Sequence, residues 1–246
     1  MKKMTGLMTL SAMMALQGWC GGPVWASTTP AFELAGEAVL ISDYRFRGVS
    51  QTERSPAVQL EYSASHTSGF YATVWGSNIS FGDGSVELDT LLGWQGDFAE
   101  SFGLDVGVMR YWYPNADRTQ GYNYNEWYAH FSWQQLELGM HYSPDYFGQD
   151  VGRFSYWFGR YSYSLQSYDV FISLGYNRFD SSTDLNQLLG AFDGRKSAYW
   201  DYQLGVSWNF ADDWAFSLAW VGTSIGRSQC LEDCQSRAVF SLNRSF

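Results

Sequence analysis

The chain has 246 residues and a formal net charge of −10, with 46% hydrophobic and 19% aromatic residues against 16% charged ones. That is enough for one domain, and the acidity excludes a nucleic-acid binder, whose footprint is basic. A negative mean hydropathy does not exclude a membrane protein, because the polar interior of a barrel dilutes its lipid-facing residues.

In chain order, the first predicted element is a secretory signal peptide over residues 1–26. Lys2 and Lys3 open it, an apolar stretch over 7–16 follows, and Val24-Trp25-Ala26 offers a cleavage site before Ser27. Residues 27–246 are then the mature domain, and losing Lys2 and Lys3 takes the charge from −10 to −12. Gln17, three residues before Cys20, departs from a lipoprotein motif.

From residue 34 onward an apolar or aromatic residue alternates with a small or polar one, and the pattern restarts about a dozen times. Period two signals strands, and runs of roughly ten residues match tilted strands that cross a bilayer. Strands are predicted at 34–46, 56–66, 69–80, 85–96, 102–113, 122–133, 136–143, 153–165, 168–179, 197–210, 214–224 and 236–246. The tenth shows the alternation most plainly: Trp200, Tyr202, Leu204, Val206 and Trp208 interleave with Asp201, Gln203, Gly205 and Ser207. The connections alternate between short (66–69, 96–101, 134–135, 166–167, 211–213) and long (47–55, 114–121, 144–152, 180–196, 225–235), with 81–84 as one short outer loop. The prediction is an all-β transmembrane antiparallel barrel of about 12 strands, with short periplasmic turns and longer outer loops.

Eight tryptophans check the register. Trp112, Trp127, Trp200 and Trp220 fall in the outer part of their strands and Trp94, Trp133, Trp208 and Trp214 near the inner ends, all on the apolar face. They predict two aromatic belts against lipid. The chain ends on Phe246 with Leu242, Phe240 and Ala238 at alternate positions, resembling the terminal signal read by the bacterial barrel assembly machinery, though Arg244 interrupts it.

The segment Ser42-Asp43-Tyr44-Arg45-Phe46-Arg47-Gly48-Val49-Ser50-Gln51-Thr52 resembles the proteobacterial TorF family of porin-like proteins, long described as proteins of unknown function. Gly69-Phe70-Tyr71-Ala72 with Trp75 and Ser77-Asn78, Glu87 and Asp89 before Gly93, Asn125-Glu126-Trp127-Tyr128 and Tyr142-Ser143-Pro144-Asp145-Tyr146 resemble further family segments in the same order. The resemblance implies a barrel in the outer membrane of a Gram-negative bacterium and a possible pore. It implies no particular solute.

The polar face carries Glu37, Asp43, Glu61, Glu87, Asp89, Asp105, Glu126, Glu137, Asp169 and Asp201, against mainly Arg45 and Arg47 in the first strand. An acidic wall concentrates cations, so a diffusion pore for small hydrophilic solutes with mild cation preference is expected. A plugged, non-conducting structural or adhesion barrel is the rival, since twelve strands lie between filled eight-stranded barrels and open larger ones. Asp43, Arg45 and Arg47 could form a charged constriction or pair with neighbouring acids to hold register.

A turn at Gln134-Gln135 sets His141 opposite Tyr128 and diagonal to His130, with Glu126 and Glu137 on the same side. The group could titrate near neutrality, but diagonal neighbours are poorly aimed for a metal, and none is expected. His141 and Ser143 share a face as a base and nucleophile could, yet that face is turned away from lipid, so a barrel-embedded hydrolase is the weaker alternative and no enzyme or cofactor is predicted. Cys230 and Cys234, in the last outer loop of an exported chain, are expected to form a disulfide.

Overall fold

Alternating side chains let one sheet wrap until its edges meet, and this chain does so. The computed structural model describes residues 31–82, 84–99, 101–114, 119–148, 151–189, 195–230 and 233–246; the predicted signal peptide lies outside them. The strands are β1 (Phe32–Ile41), β2 (Arg45–Phe46), β3 (Val49–Ser50), β4 (Ala57–His66), β5 (Phe70–Asn78), β6 (Val86–Ala99), β7 (Phe102–Trp112), β8 (Tyr124–Trp133), β9 (Leu136–Ser143), β10 (Phe154–Leu165), β11 (Tyr168–Phe179), β12 (Ala198–Ala211), β13 (Trp214–Thr223) and β14 (Arg237–Ser245). All but β2 and β3 form one closed antiparallel barrel of twelve strands, each paired with its chain neighbours. β1 closes it against β14, Glu37 opposite Ser245 and Leu40 opposite Leu242.

The outer face is apolar. Leu60, Leu92, Leu174 and Leu204 are each at least half exposed, with Leu92 at 63%. Tryptophans 112, 127, 133, 200, 208 and 220 are exposed on this face, and Trp94 and Trp214 half-buried. Trp200 meets Tyr176 with ring centroids 4.7 Å apart. Arg244 also points outward, but near the short-turn end: its guanidinium lies 5.3 Å from the Trp214 ring and its Nε is 3.4 Å from Asp213, so the charge reaches a polar rim.

One predicted element is corrected. The first strand was expected to run through 34–46 and carry Asp43, Arg45 and Arg47 on the wall. β1 instead ends at Ile41, and β2 and β3 form a separate two-stranded hairpin. At that break the Ser42 N–H donates to the Phe240 carbonyl, while Ser42 Oγ accepts from the Phe240 N–H, tying the wall off before the chain leaves it.

Inside the long β11–β12 connection, predicted only as a loop, sits helix α1 (Ser182–Leu189). Its start is a capping box: Ser181 Oγ accepts from the Asp184 N–H, and Asp184 Oδ2 accepts from the Ser181 N–H.

Candidate functional site

The site begins where β1 stops. Arg47 and Gly48, with φ of 49° and 82°, are the two-residue turn between β2 and β3. Left-handed backbone at both positions suits a tight hairpin, and at Arg47 it costs about 1–2 kcal/mol. Asp43 braces the two arms, accepting from Arg45 Nε at 2.7 Å and Ser50 Oγ at 2.6 Å. Arg45 Nη1 also donates to the carbonyls of Gly48 and Gln235. Asp43 and Arg45 thus hold the hairpin's shape and leave Arg47 at its tip.

That tip reaches the opposite wall. Arg47 donates a two-pronged pair of hydrogen bonds to Glu126 on β8, both at 2.8 Å, and a third to the Tyr146 hydroxyl at 3.1 Å. The rings of Phe46, Phe154 and Tyr156 lie within 4.5–4.7 Å of its guanidinium carbon. Tyr199 on β12 donates to the Arg47 carbonyl, and a Cβ at Gly48 would strike Thr223 and the Gly222 carbonyl of β13. In the barrel order β8–β10 lie across from β1, so the hairpin spans the lumen. Arg45, Tyr111, Glu126 and His141 are each no more than 1% exposed: at this height the barrel is filled.

Behind Glu126 is a chain of polar groups along β7–β10. Tyr111 donates to Glu126 Oε2 at 3.0 Å. His141 Nδ1 lies 3.3 Å from the same oxygen. His141 Nε2 and His130 Nε2 are hydrogen-bonded at 3.0 Å. His130 Nδ1 is 3.6 Å from Glu137 Oε1, and Arg160 on β10 is 3.7 Å from Glu137 Oε2. The register is the one the Gln134-Gln135 turn predicts, with Tyr128 opposite His141 and His130 opposite Gly139. Asp105, paired in register with His130, accepts from Tyr71 at 2.6 Å, and the Tyr71 and Tyr128 hydroxyls touch. Gly93 and Gly107 leave room for those rings, since a Cβ at either would collide with the Tyr128 hydroxyl.

Glu87 and Asp89 also point inward and are 2% exposed, and Glu87 accepts from Tyr113. Ser143 is buried with its Oγ unpartnered, so it is not engaged by His141 as a nucleophile by its base would be. Among the described residues no group of three or more potential metal ligands converges. Cys230 and Cys234 are joined by a disulfide, Cα atoms 5.7 Å apart. Their loop supports the hairpin from outside, the Asp233 carbonyl accepting from the Ser50 N–H at 3.0 Å.

Sequence reasoning missed the aromatic fill. Tyr111, Tyr124, Phe154, Phe179 and Tyr199 all occupy inward positions of their strands and are buried. The signal was present: aromatic residues at the parity assigned to water mark a lumen that is packed rather than open.

A family model described as a bacterial protein of unknown function (Gcw_chp) matches residues 25–246. No curated protein matches the chain. Among solved structures, the NanC porin superposes with a TM-score of 0.53 at 10% identity, covering 87% of this chain and 99% of its own. The KdgM porin, solved in complex with disordered oligogalacturonate, gives 0.54 at 12% identity, covering 87% and 98%.

Proposed function

The chain belongs to the bacterial family of unknown function Gcw_chp, and from that premise we propose that it is an outer-membrane porin-like channel for small hydrophilic solutes, with mild cation preference, held closed by its own first long loop. The TorF resemblance is part of this reading, as are export by the signal peptide and insertion by the barrel assembly machinery through the strand ending at Phe246. Support for the membrane comes from the outer surface: a fully buried leucine is worth about 1.5–3 kcal/mol, and rows of exposed leucines between two tryptophan belts would be untenable in water.

The observation that carries the channel reading is the seated hairpin. Eight strands can be filled by wall side chains, but this twelve-stranded barrel is closed by a loop whose tip is clamped through Arg47 to one wall carboxylate. A filler anchored that way can withdraw, as wall residues cannot. Below it the inward face carries Glu37, Glu61, Asp97, Asp105 and Asp169, with Arg160 as the opposing cation on β10. Oligogalacturonate is polyanionic, so the ligand held by KdgM is a poor guide to what this wall admits. The complete burial of Arg45 and Glu126 favours a second reading, a permanently plugged structural barrel.

Reversal potentials across planar bilayers in a salt gradient test the first reading. Cation preference is expected at 0.01 M salt, fading as the screening length falls from about 30 Å to about 3 Å at 1 M. Anion preference at low salt would overturn the selectivity, and absence of conductance even after the hairpin is deleted would favour the permanent plug.

A further inference from the structure

We propose that the bonded imidazoles of His130 and His141 make the hairpin acid-sensitive: a second proton on the pair drives Arg47 off Glu126 and opens the outer constriction. The inference rests on the channel reading above and adds its regulation.

A hydrogen bond between two Nε2 atoms 3.0 Å apart needs one N–H and one lone pair. His141 Nδ1 faces the Glu126 carboxylate, which Arg47 keeps charged, so electrostatics places the His141 proton on Nδ1. His141 Nε2 is then the acceptor, His130 Nε2 the donor, and His130 Nδ1 is bare beside Glu137. The first added proton belongs on that bare nitrogen. There it turns a lone pair facing a carboxylate into an ion pair and leaves the bond between the rings intact. Glu137 is 26% exposed at its side chain and Arg160 20%, so this end of the chain is reached by water.

The second proton has no such place. On His141 Nε2 it sets two N–H groups head to head and leaves two imidazoliums with ring centroids 5.0 Å apart. Charged groups from every neighbouring element bear on the pair. Asp105 from β7 and Glu137 from β9 set carboxyl groups beside His130, and Arg160 from β10 sets its guanidinium against Glu137. Tyr128 from β8 and Tyr156 from β10 pack on His141, and neither ring supplies a charge. Tyr111 donates its hydroxyl to Glu126 and Tyr146 accepts from Arg47, while the buried Glu87 and Asp89 carboxyls of β6 lie farther off. The carboxylate beside His141 is Glu126, the one that holds Arg47. Two cations then compete for one anion, and the one on a hinged loop leaves. Acid therefore favours the withdrawn hairpin, because a proton on His141 is repelled by Arg47 only while the hairpin is seated.

The test uses the folded mature chain in planar bilayers, compared at pH 7.5 and 4.5. Open probability should rise at least about tenfold in acid, within the usual range of coupling between sites. His141→Asn should lose that rise, and replacing residues 44–51 with a short glycine-serine turn should conduct at both pH values. Should His141→Asn not fold, ring NMR of the unmodified chain serves. A tenfold coupling requires the His130 and His141 transitions to move by about one pH unit when the hairpin is removed. A conducting hairpin deletion alongside an unmodified chain indifferent to pH, or transitions indifferent to the hairpin, overturns the acid latch and leaves the channel standing. A deletion that does not conduct removes both.

Discussion

The outer and inner halves of this lumen are built on the same strands with opposite chemistry. Toward the long loops the inward positions are Tyr111, Tyr124, Phe154, Phe179 and Tyr199, closed over a buried guanidinium. Toward the short turns they are Ser63, Ser65, Ser162, Ser164, Ser217 and Asn243, of which Ser162 and Ser164 are exposed and Ser217 and Asn243 buried. Wall curvature is set by strand number and is common to both, so side-chain volume and one inserted loop account for the difference. Occlusion differs in kind between the halves: an inserted loop fills the outer one, whereas toward the short turns Ser207, Ser217, Phe171 and Asn243 are buried by neighbouring wall side chains.

The largest effect should come from cutting the clamp that makes the halves differ. Removing one partner of a buried ion pair costs about 3–5 kcal/mol, because the other charge is stranded. Arg47→Ala or Glu126→Ala should therefore shift the seated hairpin by more than about a hundredfold toward withdrawal, at 1.4 kcal/mol per tenfold. Single-channel recording measures it. A variant as closed as the parent would mean that aromatic packing, not the ion pair, seals the outer half.

Next in size is a contrast between the two faces of one strand. Leu204 points outward midway between Trp200 and Trp208, and Gln203 beside it points in. Leu204→Arg should destabilise the barrel in lipid by about 2–4 kcal/mol. Gln203→Arg should stay within about 0.5 kcal/mol. Urea titration of the barrel in vesicles separates them, and reversed magnitudes would invert the assigned register.

A smaller effect is expected at the support behind the hairpin. Opening the Cys230–Cys234 link, which spans a sequence separation of 4, releases loop-closure entropy worth about 2 kcal/mol. Reduction should lower thermal stability by that order and raise hydrogen exchange at Ser50, whose N–H bonds to Asp233 in the same loop. Unchanged exchange at Ser50 would show that the hairpin stands without that support.

The smallest effect belongs to the rim. Arg153, through its side-chain hydrogen bond, holds the Asp180 carboxyl below the usual carboxylate range. Its contribution is present above the ordinary aspartate value and is lost as pH falls through the lowered one. The pair is solvent-exposed, at 67% and 45% side-chain exposure, so Asp180→Asn should leave melting temperature and conductance at pH 7 unchanged. A clear change in conductance would extend the functional region to the outer loops.

What could be read along the chain was whatever has a local period. Alternation gives the strands, their faces and the tryptophan rows, because a pleated strand turns every second side chain to the same side. A two-residue turn fixes pairing by arithmetic, which is why Tyr128 and His141 could be set opposite each other and His130 diagonal to them. The same period misleads at Asp43, Arg45 and Arg47. A two-stranded hairpin alternates just as a wall strand does, so no local pattern separates the wall from a loop that folds into the lumen.

By itself, then, the sequence determined a closed amphipathic sheet, its inside and its outside. Only the tertiary structure decided that the lumen is shut. That depends on the reach from Arg47, at the tip of the inserted hairpin, to Glu126 on the far wall, 79 residues away in sequence, and on the space that twelve strands leave for it. Span and diameter are properties of the closed ring, and they take a value only when β1 meets β14.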